Sequence, residues 1–297
     1  MSFTTDVKNE LSAKRPSERH AEAEILGMLL SSRSFSYDKI LFQTGSRGAA
    51  ECFVTLLRRV FGCFTDLSEG GSSRPTFTVS VSSAGDRSRI MNTFGIKRDE
   101  PLTITADQLR TEGGVGAFLR GVFLATGAMS DPEKEYRIEF SFKEKTLADA
   151  FAEIMTARGM PLKITLRQGK YIVYTKDSTV IEDLLTLMGA GNETLNLINV
   201  KIYKSMKNKI NRKNNCETRN ILKSANAAFE QTVAIKKLKA AGRLELLPDE
   251  LIEVAALRLA NPEASLSELS RISGNRITRS GISHRLKRIM EIAEEVK

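Results

Sequence analysis

The 297-residue sequence contains no tryptophan, two histidines and three cysteines. Cys52, Cys63 and Cys216 are odd in number and lack the spacing of metal ligands, so we expect free thiols in a reducing cytoplasm and no structural metal. No apolar run approaches the length of a membrane span, and the polar first residues do not resemble a signal peptide. These absences exclude a disulfide-stapled secreted domain and a membrane protein, and no residue pattern predicts a cofactor.

Positive charge is distributed unevenly along the chain, whose net charge is +9. Residues 1–200 contain 25 basic and 25 acidic side chains, residues 201–243 contain 12 and 2, and residues 244–297 contain 8 and 9. Because Lys and Arg supply most of the non-specific affinity for phosphates, we expect an anionic partner to bind mainly after residue 200.

An apolar helix with internal glycines is predicted twice, at residues 24–34 and 116–127. A glycine inside a helix costs about 1 kcal/mol relative to alanine, so two such helices need a reason for it. Close approach of two packed helix backbones, at Gly27 and Gly121, is a sufficient reason. The alignment of these glycines pairs Leu26 with Leu119, leaving Arg120 as a one-residue insertion, and pairs Leu30 with Leu124 and Ser32 with Thr126.

Each of these helices is followed by the same predicted order of elements, as alternation at period two and apolar recurrence at three and four indicate. After the first come strands at 34–38, 39–44 and 75–82 and helices at 49–61 and 86–94. After the second come strands at 136–142, 162–166 and 171–175, with a turn at 168–169, and helices at 147–158 and 180–188. A duplicated αββαββα domain of the α+β class is the simplest account.

The paired helices resemble the two LAGLIDADG helices of homing endonucleases, which form the seam between two pseudo-symmetric halves. In those nucleases the last acidic residue of each helix brings a metal-binding carboxylate to the seam. Ser32 and Thr126 stand at the matching positions, so we expect no catalytic residue and no enzyme activity. Asp38 and Asp131 could be displaced ligands, but each is better explained as a turn residue. A metal-dependent endonuclease that uses other carboxylates remains the enzyme alternative.

Several cations lie on or beside the predicted strands of the second repeat. They are Arg137, Lys143, Lys163, Arg167, Lys170 and Lys176. They could form a DNA-binding face, or they could be strand-edge charges that discourage aggregation. The sequence does not decide between the two.

A basic connector follows the repeats. The stretch 201–219 combines lysines and arginines with asparagines, whose amides can donate and accept toward phosphates or base edges. Ile202, Met206 and Ile210 recur at helical spacing, which favours a structured helix over a solvated linker. The DNA-binding residues expected here are Lys207, Lys209, Arg212 and Lys213.

The last 50 residues predict three helices. The first begins at Asp249 and ends before Pro262, and the second, at 266–272, starts at a capping box of Ser265 and Glu268. The third begins at Thr278 or Ser280. A short helix, a turn and a longer helix with a basic, hydroxyl-rich leading half are typical of a helix-turn-helix, although protein-binding bundles share the three-helix pattern.

The third helix separates an apolar face from a polar one, and residues 276–288 contain five cations and no carboxylate. We expect base contacts from one set of residues, Arg279, Ser280, Ser283 and His284, and phosphate contacts from another, Arg276, Lys287 and Arg288. Residues 275–277 lengthen the turn, which leaves the register of the base-facing residues open by a few positions.

Residues 1–11 and 211–218, together with the helix-turn-helix, resemble the WhiA family of bacterial DNA-binding regulators over essentially the whole chain. The resemblance implies transcriptional regulation in cell division, chromosome segregation and, where relevant, sporulation. Double-stranded DNA is the expected partner, with other regulators or RNA polymerase as further candidates, in the cytoplasm at the nucleoid. A chromosome-associated scaffold that binds protein through its first domain is the non-enzymatic alternative.

The expected domains are a degenerate LAGLIDADG-like domain at 1–198, a basic helical connector at 199–247 and a helix-turn-helix domain at 248–297. Within the first, the repeats span about 18–96 and 115–190.

Overall fold

The computed structural model describes residues 2–71, 75–98, 100–104 and 106–295. The chain divides into an N-terminal unit, residues 1–203, and a C-terminal unit, residues 204–297, each with its own hydrophobic core. The predicted three-part division stays a prediction. No helix among the described residues is both long and apolar enough to cross a membrane.

The N-terminal unit contains the predicted duplication. Its first half consists of α1 (Phe3–Ala13), α2 (Glu18–Leu30), β1 (Ser34–Phe35), β2 (Ile40–Thr44), α3 (Arg47–Phe61), β3 (Asp66–Gly70), β4 (Thr76–Ser80) and α4 (Ala84–Thr93). Its second half consists of α5 (Gly114–Thr126), β5 (Ala128–Met129), β6 (Ile138–Phe142), α6 (Lys145–Thr156), β7 (Lys163–Arg167), β8 (Lys170–Thr175) and α7 (Ser178–Met188). From α2 and from α5 onward, the order αββαββα is therefore confirmed, and the fold is α+β.

The two sheets have the same topology. The strand orders are β1-β2-β4-β3 and β5-β6-β8-β7, and every neighbouring pair is antiparallel. In β2 and β6 buried residues alternate with half-buried ones, so one face of each sheet packs on the core. The edge strands β3 and β7 are exposed along their whole length.

Helices α2 and α5 pack with their backbones in contact at the two glycines. A methyl group built on Gly27 would collide with the carbonyl oxygen of Phe118, and one on Gly121 would collide with that of Glu24. The predicted reason for the glycines is thus confirmed. Gly27 meets residues 118 and 122, and Gly121 meets 24 and 28, which is a reciprocal pattern with one constant offset.

This pattern corrects the register expected from the sequence. With the offset that relates Gly27 to Gly121, Leu26 corresponds to Arg120 rather than to Leu119. Helix α5 runs from Gly114 to Thr126 without interruption, so the one-residue insertion at Arg120 is wrong.

The last helix of the N-terminal unit begins at a side-chain cap supplied by α1. Glu10 accepts hydrogen bonds at 3.0 Å from the backbone N–H groups of Asn192 and Glu193, in the first turn of α8 (Gly191–Ala240). A carboxylate there satisfies two orphan donors and is favoured by the helix dipole. The amino-terminal segment that resembled a known family therefore anchors the start of the long helix.

The C-terminal unit consists of the second part of α8 with α9 (Asp249–Ala260), α10 (Leu266–Ile272) and α11 (Arg279–Glu294). Its core is formed by Ile235, Leu238, Leu251, Val254, Ala255, Leu269, Ile277, Ile282, Leu286, Ile289 and Ala293. The three predicted helices are confirmed, including the capping box in which Ser265 and Glu268 bond each other's backbone.

Candidate nucleic-acid interface

Helix α11 is positioned by its cap and by its apolar stripe. Thr278 is the N-cap, and its hydroxyl accepts a hydrogen bond from the N–H of Gly281 at 3.2 Å. Ile282, Leu286 and Ile289 are fully buried. Their spacing of four and three residues fixes which side of the helix faces solvent, because side chains at these intervals share one face.

The opposite side of α11 presents polar side chains to solvent. Ser280, Ser283, His284 and Lys287 are all exposed. The hydroxyls of Ser280 and Thr278 lie 3.1 Å apart, so one donates to the other. A hydroxyl, an imidazole and an amine on one exposed helical surface can donate to and accept from base edges or phosphates.

Residues 276–288 contain no carboxylate in their own sequence, but two carboxylates of α9 lie next to them in the structure. Arg276 lies 3.6 Å from Glu253, and Arg285 donates to Glu250 at 2.8 Å. Arg288 pairs with Glu291 at 3.1 Å, one turn further along α11.

Two cations of this region are left without a carboxylate. Arg279 and Lys287 are exposed and form no ion pair with any residue that the structure describes. They therefore carry the uncompensated positive charge of this surface.

The four predicted connector residues lie on an exposed part of α8. All residues from 205 to 227 are exposed. Lys209 and Lys213 are four residues apart and share one face, whereas Lys207 lies two residues before Lys209 and faces another side. Lys213 has a weak partner in Glu217 at 3.9 Å.

The apolar stripe predicted for this helix does not pack against the described residues. Ile202, Met206 and Ile210 are 54%, 59% and 57% exposed. The helix is present, as its pattern predicts, but every residue from 205 to 227 is exposed, and α8 joins the core of the C-terminal unit through Ile235 and Leu238.

At the seam of the N-terminal unit, Ser32 lies two residues after the end of α2, and Thr126 is the last residue of α5. Ser32 donates to the carbonyl oxygen of Ser34 at 3.0 Å, and the Thr126 hydroxyl accepts from the N–H of Ser141 at 3.3 Å. Both hydroxyls thus bond local backbone. No cluster of three potential metal ligands occurs among the described His, Cys, Asp and Glu residues.

The two carboxylates weighed as displaced ligands have other partners. Asp131 accepts from the N–H of Glu133 at 2.9 Å, so the predicted turn is confirmed. Asp38 is exposed and lies 3.3 Å from Arg98.

The strand register resolves where the cations of the second repeat lie. Lys163 is paired with Tyr174 and Arg167 with Lys170, on the sheet face away from the core. Glu139, on the same face, accepts from Arg137 at 3.0 Å and from Arg167 at 2.7 Å. The guanidinium of Arg137 also stacks over the Tyr174 ring, 4.7 Å from its centroid.

Lys163, Arg167 and Lys170 therefore share one face of the sheet with Glu139, which pairs with Arg137 and Arg167 and not with the two lysines. Lys176 is exposed just beyond β8, and the Lys143 ammonium donates to the carbonyl oxygen of Arg33 in the first half.

Arg258 is the residue whose environment the sequence did not reveal. It stands in an apolar stretch of α9 and is 1% exposed. It donates to the carbonyl oxygens of Ala264 at 2.6 Å and Asn261 at 3.3 Å, across the turn before α10. In the sequence its one signal is a lone arginine between two leucines, Leu257 and Leu259.

Comparison with known proteins gives matches over both units. Residues 115–207 match the model of the WhiA LAGLIDADG-like domain, and residues 210–293 match that of the WhiA C-terminal HTH domain. A probable cell division protein WhiA of Clostridium novyi is 34% identical over 313 residues, covering 100% of this chain and 99% of the relative. This chain belongs to the WhiA family.

A second WhiA relative, from Ruminiclostridium cellulolyticum and also described as a probable cell division protein, is 33% identical and covers 100% of this chain and 98% of its own length. The crystal structure of full-length DUF199/WhiA from Thermotoga maritima superposes with a TM-score of 0.62 at 23% identity, covering 100% of this chain and 99% of that one. The WhiA fold, a LAGLIDADG-like domain followed by a helix-turn-helix domain, is thus shared along the whole chain.

Proposed function

We propose that this WhiA-family protein is a sequence-specific DNA-binding transcriptional regulator without nuclease activity. The observation that carries the proposal is the exposed side of α11, which presents Ser280, Ser283 and His284 beside the unpaired cations Arg279 and Lys287. A helix of this kind, preceded by a short helix and a turn, fits the major groove, where each base pair offers a distinct pattern of donors and acceptors.

The start of α11 reads bases and also binds phosphates, and the connector binds phosphates only. Arg279, Ser280, Ser283 and His284 contact base edges in this proposal, and Arg276, Lys287 and Arg288 contact phosphates. The ion pairs that Arg276 and Arg288 form are exposed, so they cost little to exchange for phosphate contacts. The connector residues Lys207, Lys209, Arg212 and Lys213 add sequence-independent affinity through counterion release.

The neutral hydroxyls at the seam support the absence of cleavage. Two carboxylates are what hard divalent cations require beside a scissile phosphate, and Ser32 and Thr126 offer neither charge nor strong metal affinity. The relatives' description as cell division proteins supports a role in cell division and chromosome segregation, with sporulation in organisms that sporulate. Such a regulator acts at the nucleoid in the cytoplasm, with other regulators or RNA polymerase as further partners.

Selection of duplexes from a random pool by the full-length protein tests the proposal. Wild type enriches a defined sequence, and Arg279→Ala and Ser283→Ala lose discrimination at particular base pairs, by about 1–3 kcal/mol per lost contact. Lys207→Ala and Lys209→Ala weaken selected and random duplexes alike and lower the slope of log affinity against log salt by about 0.9 per phosphate contact.

Lys134→Ala, at an exposed lysine of the N-terminal unit, is the matched control and leaves both properties unchanged. An unenriched pool, or preference altered by the connector variants but not by Arg279→Ala, contradicts the assignment.

A further inference from the structure

A positively charged cavity opens on the surface of the C-terminal unit, between α8, α9, α10 and α11. Its volume is about 590 Å³, within the range of roughly 300–1,000 Å³ that is usual for small-molecule sites. Each helix contributes a polar group to its wall: Lys223 and Gln231 from α8, Arg258 from α9, Ser265 and Ser267 at the start of α10, and Arg279 from α11.

Arg258 is a buried cation in the wall of this cavity whose hydrogen bonds are incomplete. Its side chain is 1% exposed, and its Nε–H has no hydrogen-bond acceptor. The carbonyl oxygens of Asn261 and Ala264 accept from its Nη1 but carry no negative charge. Burial lowers the pKa of Arg258, which reflects the cost of holding a cation away from water without a counter-charge.

The other wall residues add positive charge and no negative charge. Lys223 and Arg279 line the cavity, form no ion pair with the described residues, and no carboxylate lines it. Glu268, which follows Ser267 in sequence, is engaged with the backbone N–H of Ser265 at 2.7 Å in the capping box. Three cations therefore surround the cavity, and one of them is buried.

A second buried group is also unsatisfied. Gln231 is 9% exposed, and its Oε1 has no donor. Because rotation about the last side-chain bond exchanges the amide oxygen and nitrogen, this group can donate to an anion or accept from a ligand hydroxyl.

We infer that this cavity binds a phosphate group, held by Lys223, Arg258 and Arg279. Guanidinium groups match the tetrahedral oxygens of phosphate with paired N–H donors, and Lys223 adds a point charge. The bound phosphate would give Arg258 the acceptor that it lacks. It would also join the connector helix to the first residue of α11, so that both respond to one anion.

The phosphate can belong to the DNA backbone or to a free phosphorylated molecule. In the first case the site rests on the proposed function, because Arg279 lies at the DNA-facing end of α11, and Arg279 then contacts a backbone phosphate in place of a base edge. In the second case the cavity is a ligand site of its own. Both sources require the same cationic wall residues. They differ in whether added inorganic phosphate competes with DNA for the cavity.

The first test uses the full-length protein without DNA. Inorganic phosphate and pyrophosphate are titrated at constant ionic strength against chloride, with Tm as the readout. A saturable rise in Tm is expected for wild type and for Lys239→Gln, an exposed lysine of α8 that does not line the cavity. Lys223→Gln shifts the midpoint to about tenfold higher phosphate, because one charged contact is lost.

An NMR measurement on the wild-type protein tests the inference without depending on whether a variant folds. The Nε–H resonance of Arg258 in the wild-type protein moves on addition of phosphate and not on addition of chloride. An unmoved resonance, or an equal response of wild type, Lys223→Gln and Lys239→Gln, overturns the inference.

A second titration distinguishes the two sources. If backbone phosphate fills the cavity, inorganic phosphate competes with a random duplex beyond the effect of salt, and Lys223→Gln weakens DNA binding more than Lys239→Gln does. If a free molecule fills it, a nucleoside triphosphate binds more tightly than phosphate and the two variants bind DNA equally. Phosphate binding without any DNA binding retains this site and refutes the proposed function. Sequence-specific DNA binding without phosphate binding refutes this site and retains the proposed function.

Discussion

Glu24 of α2 and Arg120 of α5 form an ion pair across the helix seam. The Glu24 side chain has no solvent exposure, and that of Arg120 is 12% exposed. Cys52 of α3 donates to the same carboxylate at 3.7 Å, and the Nε–H of Arg120 has no acceptor. A charge pair therefore lies at the centre of an otherwise apolar interface between the two halves.

Breaking this pair on one side should be strongly destabilising. Arg120→Met leaves the fully buried carboxylate of Glu24 without its counter-charge, and loss of one partner of a buried pair typically costs about 3–5 kcal/mol. Replacing both, by Glu24→Leu with Arg120→Met, should recover most of that loss because no unpaired charge remains. Urea unfolding of the two variants measures the difference. Glu51→Gln, at the exposed pair with Arg47, is the control and should change stability by less than about 0.5 kcal/mol.

The stability of the protein should fall as pH rises through the titration of Glu24. Burial raises the pKa of Glu24 above its ordinary value of 4.5, although Arg120 opposes the shift. Between 4.5 and the raised pKa the folded state binds more protons than the unfolded state, so the free energy of unfolding decreases with pH. The difference between wild type and Glu24→Gln, measured by urea unfolding across this window, should show that slope. A difference that grows with pH would mean that the attraction of Arg120 outweighs burial.

The seam should not tolerate a methyl group at either glycine. Gly27→Ala and Gly121→Ala place Cβ against a backbone carbonyl of the facing helix, which cannot move as a side chain can. Overpacking of this kind costs about 1–3 kcal/mol and occasionally more. Gly85→Ala in α4 meets only the Ser83 hydroxyl at 3.7 Å and should be neutral or stabilising. Thermal unfolding checks all three, and a Tm of the seam variants equal to that of wild type would refute the close approach.

Supercoiled plasmid should remain intact when the protein is incubated with Mg²⁺ or Mn²⁺. The reason is that Ser32 and Thr126 occupy the seam positions that would have to hold metal. The plasmid should also carry any sequence that the protein selects. Nicking by wild type that disappears in Asp38→Ala or Asp131→Ala would identify displaced ligands and contradict the expectation.

Local patterns in the sequence predicted those elements that have a local signal. Alternation identified β2 and β6. The hairpin turn predicted at residues 168–169 is confirmed, since Gln168 and Gly169 both adopt positive φ. The capping box at Ser265 fixed the start of α10. β3 was not predicted, because its only large apolar residue is Leu67 and one residue gives no alternation, whereas the equally exposed β7 has Ile164 and Leu166 two positions apart.

Relationships between distant residues had no such signal. The pairing of Arg120 with Glu24 depends on the crossing of two helices, so the sequence alignment treated Arg120 as an insertion. The carboxylates of Glu250 and Glu253 reach the start of α11 only through the packing of α9. The cavity around Arg258 likewise needs four helices to exist. The α11 residues could be proposed from spacing, whereas their compensation by neighbouring charges could not.

The Glu24–Arg120 pair has an evolutionary consequence. With Gly27 matched to Gly121, the counterpart of Glu24 is Phe118 and that of Arg120 is Leu26. In a dimer of identical subunits every substitution at such a seam appears twice, so a glutamate in one copy could not face an arginine in the other without both residues occurring in both. When the two halves are fused in one chain, each position of each half can be substituted independently. One half can then carry a charge that its twin lacks, as Glu24 and Arg120 do, whose counterparts are Phe118 and Leu26.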